Sequence, residues 1–352
     1  MGCANITNKV RRAVQASSTC VLLGIASRNL TKAEKWVSSA LTEGFEGPLK
    51  AHMGYESLLS DDSIGAVYIP LPCGLHHEWV LKAAAAGKGV ICEKPAARNV
   101  RELKEMIAAC ERASVPFLDG TMFHFHSRME SMAAEWKRPE FGSVGRVSSS
   151  FSFRGDDAFF AENIRMDPAL EPFGCLGDLG QYCIRFGLEI YGWELPATVQ
   201  AIAIERNARG VPIDTQCTFV WASGGPGDGP RSLIMSNSFK HAFHQSVDVY
   251  GTNARLHCDD FVISASHALC DFTTTTDPNL DALHSGVVGN EKRHSVEGCN
   301  QEREMWNAFG ECVAKKEFVA AWANRSLVVQ ACLDAAATSM LNGGALVPVT
   351  LL

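Results

Sequence analysis

The sequence predicts two domains of different class, an N-terminal α/β domain on a parallel sheet and a C-terminal α+β domain on a large, mostly antiparallel open sheet. Three observations carry this. The first third alternates short apolar runs with helical patterns, the texture of a parallel sheet flanked by helices. Beyond about residue 121, strand-like alternation takes over, with only a few helices between the runs. A chain of 352 residues, 46% of them hydrophobic, is also long enough for two cores. The expected domains are 1–121 and 122–352, with the closing helices able to pack back on the first.

In chain order, a helical run starts at about Lys9, and strands are expected at 20–26, 66–70, 89–92 and 116–119. Between the first two lies a helix opened by the capping box Thr31-x-x-Glu34. Ala33, Trp36, Val37, Ala40 and Leu41 share one of its faces, and Gly44 stands past its end. A second helix follows Asn99-x-x-Glu102, with Leu103, Met106, Ile107 and Cys110 in one stripe. In the second domain, Val147, Ser149, Phe151 and Phe153 alternate with serines, and Cys217, Phe219 and Trp221 alternate with polar residues, as half-buried antiparallel strands do. The glycine-rich stretch 224–230 reads as a hairpin loop, since no helix follows it to hold a phosphate. Residues 273–279 read as a surface loop, and helices are expected around 301–314 and 326–341.

The net charge of −7, from 39 acidic and 32 basic residues spread along the chain, gives no footprint for nucleic acid or an anionic membrane. The expected partner is a small molecule. No apolar run approaches the ~18 residues of a membrane span, and residues 1–12 lack the apolar core of a secretory signal, so the expected location is the cytoplasm. The thirteen cysteines are odd in number with no Cys-x-x-Cys spacing, which favours reduced thiols; Cys92, Cys110 and Cys183 fall at apolar positions.

Gly2-Cys3-Ala4-Asn5-Ile6-Thr7 is a degenerate Gly-x-Gly-x-x-Gly, with Ala4 and Thr7 in the second and third glycine places. A Rossmann-type domain sets this turn after its central strand, but only Met1 precedes Gly2. The first strand is therefore expected to be truncated, or the domain rebuilt locally. At the end of the next strand, where an acidic residue would hold the ribose of NAD, stand Ser27 and Arg28, a pair suited to a 2′-phosphate. The local alternative is an exposed arginine before a helix. Tyr68-Ile69-Pro70-Leu71-Pro72 with His76, and Glu93-Lys94-Pro95, complete the motifs of this half.

With Asp119-Gly120-Thr121-Met122, Gly142-x-Val144-Gly145, Gly177-Asp178-Leu179-Gly180-x-Tyr182-Cys183-Ile184-Arg185 and Gly251-Thr252, these motifs resemble, in order and spacing over nearly the whole chain, the glucose-fructose oxidoreductase/inositol dehydrogenase (Gfo/Idh/MocA) family. Within it, the resemblance is to the branch of dimeric dihydrodiol dehydrogenase and D-xylose 1-dehydrogenase. The spacing alone predicts a helix over 177–190 with Asp178, Tyr182 and Arg185 on one face and Leu179, Cys183, Phe186 and Ile190 on another, either lining a cleft or lying at an ordinary surface.

The resemblance implies hydride transfer between NADP(H), or less favourably NAD(H), and a sugar, vicinal diol or related hydroxy or carbonyl compound. It implies Lys94 as donor to the substrate oxygen, Tyr182 as acid/base and Asp178 as their orienting group. The implied cofactor contacts are Gly2, Ala4, Asn5, Ile6, Ser27, Arg28, Pro70, Leu71, Pro72, His76, Glu93 and Lys94. Arg165 and His126 are expected near the substrate, Arg165 standing equally well in a structural ion pair. A homodimer or homotetramer through the C-terminal sheet is expected. His124 and His126 alternate like a metal pair, yet no third ligand follows at a sensible spacing, so no metal is expected. Two further readings stay open: a redox-neutral enzyme that retains its nicotinamide, and a non-catalytic dinucleotide sensor.

Overall fold

The computed structural model describes residues 1–4, 6–276, 284 and 289–351. They form two compact units, Met1–Met122 with Glu302–Gln330, and Phe123–Gln301 with Ala331–Leu352. The first division lies one residue from the expected 121/122 boundary. The segment 302–330, placed in the second domain with its helices able to pack back on the first, clusters with the first.

The first unit holds parallel strands β1 (Gly24–Ser27), β2 (Lys50–Met53), β3 (Ala66–Ile69), β4 (Gly89–Cys92) and β5 (Phe117–Asp119), and helices α1 (Ile6–Ala16), α2 (Leu30–Thr42), α3 (Tyr55–Leu59), α4 (His76–Ala85) and α5 (Val100–Arg112). β4 is buried at all four residues, as a parallel strand covered on both faces must be. β2, the short α3 and α4 are elements the sequence reading did not name, and β1 starts at Gly24, four residues later than expected. At α5, Asn99 accepts the Glu102 N–H at 2.9 Å, and Leu103, Met106, Ile107 and Cys110 are buried. α2 differs from expectation. Its cap is Asn29, which accepts the Lys32 N–H at 3.3 Å, and Leu41 is exposed. An asparagine two residues ahead of Thr31 takes the orphan donor first.

The five strands fall into two sheets, β1-β2 and β3-β4-β5. Met1 and Gly2 lie across the gap. The Met1 amino group donates to Tyr68 O at 2.6 Å and the Gly2 N–H to Ala26 O at 2.8 Å, so they meet both facing strand edges near their C-terminal ends. Below them is a cavity of about 330 Å³ lined by Gly24 and Ile25, by Ala66 and Val67, and by Phe309 and Val313, among others.

The second unit is built on nine strands: β6 (Arg146–Ser152), β7 (Thr198–Arg206), β8 (Pro212–Trp221), β9 (Arg231–Ser238), β10 (His244–Tyr250), β11 (Ala254–Cys258), β12 (Leu269–Thr276), β13 (Asn290–Glu297) and β14 (Val347–Pro348). Their order is β13-β12-β11-β10-β6-β9-β8-β7-β14, and only the β6–β9 pair is parallel. Alternation set these strands: Cys217, Phe219 and Trp221 are buried along β8. Residues 273–276, expected in a loop, end β12, because four threonines suit a strand; 277–279 lie outside the described residues. Helices α6 (Ser127–Trp136), α7 (Asp157–Glu162) and α8 (Gln181–Ile190) belong to this unit. The motif glycines at 142 and 251 meet at one corner: a Cβ on Gly142 would stand 2.0 Å from Thr252 Oγ1, and one on Gly251 would stand 2.3 Å from Phe141 O. Two helices close the chain, Gln301–Lys315 and Ala320–Leu341. No helix among the described residues is long and apolar enough to cross a membrane.

Candidate active site

The fingerprint turn opens α1 at Ile6. Gly2 holds φ +93°, and a Cβ there would stand 3.1 Å from Leu71 Cδ2, so only glycine suits both the backbone and the space. Thr7, in the third glycine place, is buried; its hydroxyl donates to Ala4 O at 2.6 Å and accepts from the Trp36 indole at 3.0 Å. The departure from glycine is therefore a packed hydrogen-bonding position. Ala4 is half-buried and Ile6 exposed, while Asn5 lies outside the described residues.

At the end of β1, Ser27 is buried and accepts the Asn29 N–H at 3.2 Å, whereas Arg28 is exposed. Arg28 hydrogen-bonds the Tyr55 hydroxyl; burial raises the Tyr55 pKa and this guanidinium pulls against it. Tyr55 packs edge-on against Trp79, with centroids 4.8 Å apart. Tyr55 was not singled out from sequence, and neither was Lys32, whose carbonyl accepts from Cys3 Sγ at 3.8 Å and whose ammonium favours the Cys3 thiolate. Arg28 and Lys32 are four residues apart around the α2 N-terminus, a spacing that could have signalled a paired cationic site.

Two loops past β3 and β4 are clamped by His76. Its ring is buried, with Nε2 2.7 Å from Leu71 O, and Nδ1 3.1 Å from Ala96 O and 3.2 Å from Pro95 O. Burial lowers its pKa and the three carbonyls oppose that shift. The side chain expected at the cofactor thus fixes the Pro70-Leu71-Pro72 turn to the Pro95 and Ala96 carbonyls, just past the cis Lys94–Pro95 bond. Pro70 and Leu71 are buried and Pro72 half-buried.

Glu93 accepts from the Tyr68 hydroxyl and from the Lys94 N–H, the latter at 3.2 Å. Desolvation raises its pKa, with the Lys94 ammonium the leading opposing influence. Gly120 is small for this reason, since a Cβ would lie 3.0 Å from Glu93 Oε1. Asp119 beside it accepts from Ser326 Oγ and from the Thr121 N–H.

In the second unit, the Gly177-Asp178-Leu179-Gly180 motif is a π-helical turn, Leu176–Gly180, running into α8. Such turns recur at functional sites. Asp178 Oδ2 lies 2.8 Å from Arg165 Nε. Asp178 is the main influence raising the Arg165 pKa; burial opposes it, and Glu171 and Tyr182 add to it. Tyr182 is buried, its ring 6.2 Å from that of Phe123 and 6.0 Å from that of Phe151. The structure thus brings Arg165, Asp178 and Tyr182 together across 17 residues of sequence.

Of the two expected settings for this helix, the ordinary surface is not what forms. Residues 181–188 are all buried, and Arg185 packs over the Trp193 ring at 5.5 Å. Glycines allow this closeness: a Cβ on Gly180 would stand 2.7 Å from Asn237 Oδ1, and one on Gly187 2.8 Å from Leu233 Cδ2.

His124 and His126 do not share an extended segment. His124 sits in the 3-10 turn Met122–Phe125, with Nδ1 3.2 Å from Glu189 Oε2. His126 caps α6, its Nδ1 accepting the Arg128 N–H at 3.0 Å, and is only 3% exposed. That burial and cap give it a structural task, which the sequence reading did not foresee.

The model of an oxidoreductase family with an NAD-binding Rossmann fold matches residues 1–120. The chain is 36% identical to D-xylose 1-dehydrogenase (NADP(+)) 2 of Haloferax volcanii over 79% of this chain and 80% of that one. It is 29% identical to trans-1,2-dihydrobenzene-1,2-diol dehydrogenase of Mus musculus over 53% of each chain. Its fold matches a 3-ketoreductase from Actinomadura kijaniata, solved with NADP and TDP-benzene, at a TM-score of 0.82 and 22% identity over 96% of this chain and 95% of that one. A fingerprint turn on the first unit, a Glu-Lys-Pro loop and an Asp-Tyr helix on the second accord with these likenesses, and the chain belongs to the Gfo/Idh/MocA family of nicotinamide-dependent oxidoreductases.

Proposed function

We propose that the protein is an NADP-dependent dehydrogenase or reductase acting on a sugar, a vicinal diol or a related hydroxy or carbonyl compound. The observation that carries this reading is the Arg165–Asp178 ion pair beside Tyr182, a half-buried charge pair next to a buried, proton-carrying hydroxyl. The named activities of the relatives support the substrate class.

The residues of the first unit fit a dinucleotide. Gly2 permits close backbone approach, and Ser27, Arg28 and Lys32 offer a hydroxyl and two cations for a 2′-phosphate, which favours NADP(H) over NAD(H). Ala4, Ile6, Pro70, Leu71, Pro72, Glu93 and Lys94 complete the proposed contacts, with Glu93 and His76 holding the loops. Nicotinamide, when bound, exchanges a hydride with the carbinol or carbonyl carbon. Lys94 then donates to the substrate oxygen and stabilises its oxyanion character, while the Tyr182 hydroxyl moves the proton. Asp178, held by Arg165, orients that chemistry, and Arg165 offers its remaining donors to substrate hydroxyls.

One face of the nine-stranded sheet carries Ile202, Ile204 and Ile234, between 42% and 53% exposed, among serines and glutamines; it is the surface we propose for a homodimer or homotetramer. The thirteen free cysteines suit the reducing cytoplasm. A panel of sugars, diols and dicarbonyls, followed by NADPH absorbance in both directions, tests the function. Turnover on a sugar or diol is expected, and none on any compound with either nicotinamide would overturn it.

A further inference from the structure

We propose that His126, Cys270 and Cys299, in the second unit, form a binding site for a soft divalent cation, with Zn²⁺ the physiological candidate. A ring nitrogen and the two sulfurs lie within 4.8 Å of one another, and all three residues are buried. Imidazole and thiolate are the donor set that selects zinc over calcium or magnesium. The residues come from three places: His126 from the start of α6, Cys270 from the beginning of β12, and Cys299 from the turn after β13.

The surroundings hold these segments in register without the cation. The Cys299 N–H donates to His267 O at 2.9 Å and the Gly298 N–H to Ala268 O at 3.0 Å, which folds the turn back over the loop before β12. The Cys270 thiol donates to Ser266 O at 2.8 Å and the Cys299 thiol to Val296 O at 3.0 Å. Ser264 Oγ donates to Ser266 O at 2.7 Å and touches Cys270 Sγ. Arg128, whose guanidinium is buried between Asp260 and the Asp271 carbonyl, ties the start of α6 to β12 beside the site. Cys270 is buried next to a mostly exposed stretch, 265–269.

Binding has a definite proton balance. Each thiol loses one proton to become a ligand. His126 Nδ1 now accepts the Arg128 N–H, so the neutral ring carries its proton on Nε2. Ligation through Nε2 moves that proton to Nδ1 and releases the α6 cap, whereas ligation through Nδ1 displaces the cap directly. Either way two protons leave per cation, both from sulfur.

The full-length protein, stripped with a chelator and titrated with Co²⁺ alone, should bind one equivalent with a thiolate-to-cobalt charge-transfer band and release two protons. Cys270→Ser and Cys299→Ser should each lose the band, and Cys258→Ser, at a neighbouring cysteine outside the triad, should keep it. Wild-type protein alone supplies a second measurement if either variant misfolds. With Zn²⁺ at about 100 times its Kd, alkylation of Cys270 and Cys299, mapped by mass spectrometry, should slow about 100-fold. No charge-transfer band in the wild type, a band that survives both substitutions, or alkylation at the same rate with and without Zn²⁺ would each overturn the proposal.

Discussion

At the scale of single residues, the proposed chemistry rests on few charges. Arg28 stands where an acidic side chain would select NAD, and its anchor is the Tyr55 hydroxyl. Arg28→Asp is expected to weaken NADP binding by roughly 1–3 kcal/mol more than NAD binding, the worth of one charged hydrogen-bonding partner. Equal changes in the two dissociation constants would remove Arg28 from the 2′-phosphate. Lys94→Met and Tyr182→Phe keep bulk but delete the proton-carrying groups, so kcat is expected to fall by roughly 10² or more with NADPH affinity nearly unchanged. Turnover within a few-fold of wild type for either variant contradicts that residue's part in the proton transfer. His76 gives a pH signature instead. Its folded pKa lies below the ordinary 6.5, so the unfolded chain binds more protons as the pH falls through that value. The stability it contributes is present above about pH 6.5 and is lost in acid through the folded pKa. The fall in Tm between pH 8 and 5 should be shallower in His76→Gln than in wild type, and parallel slopes would show that the clamp titrates alike in both states.

At the scale of elements, the family motifs mostly serve packing. Gly180 brings the π-turn onto β9, and Gly120 leaves room for Glu93. Gly180→Ala places a methyl group 2.7 Å from Asn237 Oδ1 and 2.9 Å from Leu176 Cδ1, contacts that neither a buried amide nor a packed leucine can easily relieve. We expect a loss of about 1–3 kcal/mol in chemical denaturation, together with a lower kcat because Asp178 and Tyr182 lie two residues either side of Gly180. A stable Gly180→Ala protein with full activity would mean that this approach is not needed.

At the scale of the molecule, the first unit carries its sheet in two pieces with an apolar cavity of about 330 Å³ between them. Both facing edges present backbone groups in the parallel direction, and the first two residues already bond to each side. An apolar, β-branched segment of about six residues joined ahead of Met1 is expected to enter this slot and pair with β1 and β3. It would also replace the buried Met1 amino group, whose pKa burial lowers to about 5, by a peptide N–H that donates to Tyr68 O and does not titrate. Calorimetry should record a higher Tm and titration a tighter NADP complex; an unchanged Tm would show that the slot does not accept a strand.

The two fold classes, several of the strands and the family motifs were legible in the amino-acid order, because these are written in local alternation, capping residues and short spacings. Asn99 capped its helix as read, and Cys217, Phe219 and Trp221 faced inward as their period required. Local signals failed where two competed, as when Asn29 took the cap from Thr31, and where a strand was only four residues long, as in β2. What distant residues do together emerged only in the packed chain. Folding joined Arg165 to Asp178, put Tyr55 on Arg28, turned His76 into a clamp between two loops, and gathered His126 with cysteines 144 and 173 positions away. Such pairings depend on which strands become neighbours, and strand order follows from the packing of whole faces, which no spacing along the chain encodes.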